Sequence, residues 1–145
     1  MSMVVDGGTI ERHGAALNWG LAGSPLVPES ASGDLCAVWS PAEGALIAVV
    51  DGSGHGAEAA AAAQLARRVI DDHPRESPVA LILRCHERLR GTRGAAMTLA
   101  SVNLADRTIT WLGIGLPGSR RLMDEFEITS QVGKGTTVTM RKFVS

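Results

Sequence analysis

Apolar positions in this chain fall into short continuous runs broken by glycine and proline, with two helix-period stretches between them. Residues 14–23 read as a short strand of small residues, and the Ser-, Pro- and Gly-rich residues 24–33 as a loop. Two apolar runs follow, residues 35–39 and 45–50, separated by a turn at 41–44, and both are short enough to be strands. Together they predict a hairpin whose ends bring Asp34 and Asp51 to one edge of a sheet. Glycine-rich residues 52–56 then open into a helix over 57–70, built from strong helix formers, with Ala61, Ala62, Leu65, Ala66 and Val69 at helical spacing. Asp72, His73 and Pro74 stop it. Ser77 is placed to cap a second helix with Pro78 at its first position, running to about Arg90, and Val79, Leu81, Ile82, Cys85 and Leu89 can share its inner face.

After a turn at 91–94, residues 95–103 and 108–114 read as a strand pair joined across 104–107. The order strand, strand, helix, helix, strand, strand predicts an α+β fold, a layered α/β sandwich with mainly antiparallel sheet, in a single domain spanning 1–145. The tail changes character: a glycine-rich turn at 113–118, a short helix at 119–125 carrying Arg120, Arg121 and Asp124, a strand at 126–131, a turn at 132–135 and a β-branched strand at 136–143. Trp19, Trp39 and Trp111 all fall in predicted strands and are expected in the core.

The 145 residues are enough to bury a core, and with 45% hydrophobic and 20% charged residues a soluble globular domain is expected. Seventeen glycines and no tyrosine point to a tight aliphatic interior. A net charge of −1 supplies no basic field for nucleic acid or an anionic membrane, so neither is an expected partner. The apolar runs are too short to span a bilayer, and Asp6 sits where an export signal would be apolar, so a cytoplasmic location is expected. Cys36 and Cys85, far apart in dissimilar segments, fit two free thiols.

The candidate chemistry lies in Ser32-Gly33-Asp34 and Asp51-Gly-Ser-Gly-His-Gly56. A carboxylate ending an apolar strand is costly to bury unless a cation compensates it, and two on neighbouring strand ends suit a hard divalent cation able to activate water. An isolated Asp-Gly is more often only a turn, and Asp34 by itself a cap. The full string running into an alanine-rich helix is far less common. His13, His73 and His86 have no Cys or carboxylate at zinc-ligand spacing and are assigned surface or capping roles. Ser53 lacks the spacing of a nucleophile elbow.

The strings SGDLCAVW, LIAVVDGSGHGAEAAAAA and RGTRGAAMTLASVNL, within residues 10–115, resemble the PPM (type 2C) protein phosphatases, in their SpoIIE/RsbX branch. The resemblance implies a sandwich of PPM type with a two-metal Mn²⁺ or Mg²⁺ centre between sheets. It also implies hydrolysis of phosphoserine or phosphothreonine on STAS-domain proteins of a stressosome. Carried over by position, it implies that Asp51 bridges the metals, Gly52 offers its carbonyl, and Asp34 binds metal directly or through water. His55 lies near a general-acid position at a different spacing. Arg93, in the Thr-Arg-Gly turn, is placed to meet the phosphate, with a solvated loop arginine as the alternative.

The family's further C-terminal aspartates have no counterpart after Gly115, so the sandwich is expected to be incomplete or altered there, with fewer metals than two as the alternative. Residues 113–145 instead resemble the C-terminal end of RsbT-type switch kinases of the GHKL group: Gly113, Gly115 and Gly118 match a nucleotide lid, and residues 133–136 a last ATP-binding box. The Asn-bearing helix and adenine-binding box of that group are absent, so residues 116–145 are expected to complete the fold structurally. Three functions remain: a metal-dependent phosphatase, a weak or inactive phosphoprotein-binding module, and, last, a nucleotide-binding protein.

Overall fold

The computed structural model describes residues 4–23, 33–54, 56–115, 125–131 and 135–141. In chain order the elements are β1 (Val4–Arg12), β2 (Ala15–Gly23), β3 (Asp34–Trp39), β4 (Gly44–Gly52), α1 (Ala57–Asp72), α2 (Pro78–Arg88), β5 (Ala95–Asn103), β6 (Thr108–Ile114), β7 (Glu125–Gln131) and β8 (Gly135–Arg141). They form two four-stranded sheets, ordered β3-β4-β5-β6 and β1-β2-β8-β7. Neighbours pair antiparallel except β2 and β8, which run parallel through Leu17–Thr136 and Asn18–Thr137. This is the expected α+β architecture with mainly antiparallel sheet.

The central strand β4 explains the unbroken apolar run at 45–50: all six residues are buried, because both faces of the strand are covered. Leu46, Ala48 and Val50 face the helices and join Ile70, Leu81, Met97 and Leu99 in the main core. On the opposite face Ala45 packs with Ile10 and Leu17 of the first hairpin and with Val102 and Leu104. The layers are therefore helices, sheet, sheet. Each fully buried large aliphatic contributes about 1.5–3 kcal/mol from removal of its surface from water.

Local signals in the chain act as expected at the second helix. The Ser77 hydroxyl accepts the Ala80 amide at 3.2 Å and Pro78 occupies the first turn. At the C-terminal end of α1, the Trp39 indole N–H donates to Asp71 Oδ1 at 2.8 Å, fixing that end of the helix to β3.

The structure corrects several details. Strand β1 has no alternating pattern to announce it. It exists through its pairing with β2, closed by a two-residue turn in which His13 and Gly14 both have positive φ, 52° and 71°. Ala61 is exposed, whereas Ala59, Ala62, Ala63 and Ala66 are buried, since a run of alanines carries no polar residue to mark its phase. Val79 is exposed because it lies about 200° round the helix from Leu81. The helix is also shorter than expected, ending at Arg88. Trp111 is 58% exposed, because among the described residues β6 is an edge strand with a sheet neighbour on one side only. Gly113, Glu125 and Gly135 are strand residues, pairing with Thr98, Arg141 and Gln131, and are not parts of a turn, a helix and a turn. The rest of the expected helix at 119–125 lies outside the described residues.

Candidate metal centre

Strand pairing positions the two aspartates. Asp34 and Asp51 are directly opposite each other at the end of the β3–β4 ladder. Directly opposed residues share a face, with Cβ atoms about 4.5–5.5 Å apart. That face carries Cys36 opposite Val49 and Val38 opposite Ile47, and looks toward the other sheet. Both aspartates are half-buried at the mouth between the sheets. One pair deeper, Trp19, Cys36 and Val49 border a gap of about 10 Å³, room for about one water. Cys36 is exposed overall on its edge strand, yet desolvation of its thiol raises the pKa above 9.0.

The glycines flanking the aspartates admit helix α1. A Cβ on Gly52 would overlap the Ala59 carbonyl oxygen, and a Cβ on Gly33 would lie 2.7 Å from the Ala59 Cβ. With both side chains absent, the first turn of α1 seats on the strand ends, and the Gly52 amide donates to the Gly33 carbonyl at 2.7 Å. The Ser53 amide donates to the Gly94 carbonyl at 2.9 Å, which joins the loop after Asp51 to the 91–94 turn.

That turn is braced from within. The Thr92 hydroxyl donates to the Leu89 carbonyl at 2.6 Å and accepts the Gly94 amide at 3.0 Å. It delivers Arg93 to the glycine loop, where the guanidinium lies against Gly54, whose φ is +86°. Arg93 Nε contacts Glu58 Oε2 at 2.8 Å. Sequence reasoning singled out Arg93 and passed over Glu58; the available signal was an acidic residue in the first turn of a helix whose N-cap, Gly56, makes no side-chain cap.

Two opposed carboxylates suit a hard divalent cation: oxygen donors match its preference, and like charges placed directly opposite cost stability unless neutralised. Among the described residues, no group of three or more His, Cys, Asp or Glu side chains gathers to hold a metal. His55 lies outside the described residues, as do Ser32, Gly118, Gly133 and Lys134. Gly113 of the suggested nucleotide lid is taken up by β6 and Thr136 by pairing with Leu17.

Residues 41–138 match the family described as Stage II sporulation protein E (SpoIIE). The chain belongs to the SpoIIE family. It is thereby a phosphatase-family domain of PPM type, and the match extends across β7 and into β8. Nothing in the comparisons supports the kinase likeness of residues 113–145. A chain solved in work on "The bacterial stressosome: a modular system that has been adapted to control secondary messenger signaling" superposes with a TM-score of 0.59 and 26% identity, over 97% of this chain and 62% of that one. RsbX in complex with magnesium superposes with a TM-score of 0.57 and 19% identity, over 78% of this chain and 50% of its own. This SpoIIE-family chain therefore spans about half to three fifths of the length of these two structures. No curated protein matches it significantly. Among the described residues, no helix is long and apolar enough to cross a membrane.

Proposed function

We propose that this SpoIIE-family chain is a Mn²⁺- or Mg²⁺-dependent serine/threonine phosphoprotein phosphatase, acting in the cytoplasm on phosphorylated STAS-domain proteins of a stressosome. The observation that carries the reading is the register opposing Asp34 and Asp51 at the mouth between the sheets. Asp51 and Asp34 would hold the divalent cation, with the Gly52 carbonyl beside them. Arg93 would receive the phosphoryl oxygens and His55 would serve as general acid. When bound, the cation supplies an activated water and neutralises charge on the phosphate. The chain's own part is to fix the carboxylates by strand pairing and to hold the phosphate-facing turn through the Ser53–Gly94 hydrogen bond. The stressosome subject of the first solved chain and the magnesium bound to RsbX support the partner and cofactor classes.

The test is release of phosphate from a phosphorylated STAS-domain stressosome protein, with and without Mn²⁺. Metal-dependent turnover, abolished in Asp34→Ala and Asp51→Ala, is expected; turnover that survives Asp51→Ala sinks the site.

A second reading is favoured by the lack of a third ligating side chain beside the pair among the described residues. In it the domain binds phosphoprotein and turns over weakly or not at all. Calorimetric titration with Mn²⁺ then gives at most one weak site without turnover, and robust turnover rejects it.

A further inference from the structure

We infer that Glu58 and Arg93 form a phosphate-releasable latch: Arg93 is the anion-binding arm beside the site, and Glu58 holds its guanidinium until a phosphomonoester competes for it. The inference deepens the phosphatase reading and rests on it for the substrate class.

Four observations converge. The Gly94 carbonyl, next to Arg93, accepts the amide of Ser53, two residues past Asp51, so a backbone hydrogen bond joins the turn to the aspartate loop. The guanidinium rests against Gly54 of that loop, where a Cβ would lie 3.2 Å from its terminal nitrogen. The contact to Glu58 is 2.8 Å long, yet the two side chains remain 65% and 72% exposed. The neighbouring Arg90 is engaged elsewhere, at 3.0 Å from Glu87 at the end of α2.

An ion pair this exposed is weak, so it orients the arginine without committing it. A phosphomonoester dianion offers Arg more charge and a bidentate geometry, and displaces a single carboxylate. Glu58 is not stranded when the arginine leaves, because in the first turn of α1 its charge complements the helix dipole. The device keeps Arg93 beside the site in the free protein and lowers its affinity for every anion by one common factor, so that only a ligand held as strongly as a phosphomonoester displaces Glu58.

Binding of an O-phosphoserine peptide, measured by calorimetry on the full chain with Mg²⁺ present, tests this. Glu58→Gln is expected to tighten binding about two- to five-fold, the factor set by a weak exposed pair. Arg93→Met is expected to weaken it about ten-fold or more. The double variant should match Arg93→Met, because Glu58 acts only through the arginine. If Glu58→Gln leaves affinity unchanged or lowers it, or if the wild-type chain does not bind the peptide, the latch is overturned. The expected binding pattern without phosphate release from any variant upholds the latch and defeats the phosphatase reading.

Discussion

Asp34 and Asp51, seventeen residues apart in sequence, occupy one rung of the β3–β4 ladder and share its inter-sheet face. Like charges placed directly opposite each other on a ladder are destabilising. Asp51→Asn is therefore expected to melt slightly above the wild type without metal. With Mn²⁺ at about 100 times its Kd, the wild type should gain about 2.7 kcal/mol and Asp51→Asn should not respond. Thermal melts of both proteins with and without Mn²⁺ check this; an equal metal response in both removes Asp51 from the site.

Gly52 sits under the Ala59 carbonyl, so its hydrogen side chain is a packing requirement. Gly52→Ala is expected to lose about 3 kcal/mol through displacement of α1. Gly91→Ala, at φ +81° with nothing within 4 Å, should lose only the conformational cost of about 1–2 kcal/mol. Urea unfolding of the two variants compares them, and a loss in Gly52→Ala no larger than that in Gly91→Ala would show that α1 shifts to admit the methyl at little cost.

Arg84 makes a two-point contact with Glu76, both at 2.6 Å, and this hydrogen bonding holds the Glu76 carboxyl below its usual 4.5. The unfolded carboxyl titrates near 4.5 and the folded one lower, so the stabilisation is complete above pH 4.5 and fades as pH falls through the lower folded value. Melting temperature followed across that range should fall less steeply in Glu76→Gln than in the wild type. Parallel curves would mean that the pair contributes nothing measurable.

The two thiols should differ in reactivity. Burial against the Ala66 carbonyl, 3.9 Å from the sulfur, accompanies a Cys85 pKa pushed up to about 11. Desolvation raises Cys36 as well, though it remains at the surface. Iodoacetamide at pH 8 should label Cys36 slowly and Cys85 only after unfolding. Rapid labelling of Cys85 in the folded chain would contradict its placement in the core.

Much of this protein was legible because its signals are local. The β5 and β6 boundaries, the Ser77-Pro78 start of α2 and the hairpin that joins the aspartates follow from turn residues, caps and apolar run length, which act within a few residues. The placing of Asp34 and Asp51 at neighbouring strand ends followed from the same signals, whereas Gly52 and Arg93 became candidates only through the family resemblance. What the sequence left open depends on segments that meet only in three dimensions. The phase of the alanine helix was set by the surface it met, because alanine alone distinguishes no face. Trp111 lies out of the core because, among the described residues, β6 falls at a sheet edge. The parallel β2–β8 pairing and the contact of Glu58 with Arg93 bring together residues 119 and 35 positions apart. No periodicity encodes such distances, so the tertiary structure alone decided which neighbours the aspartate loop would have.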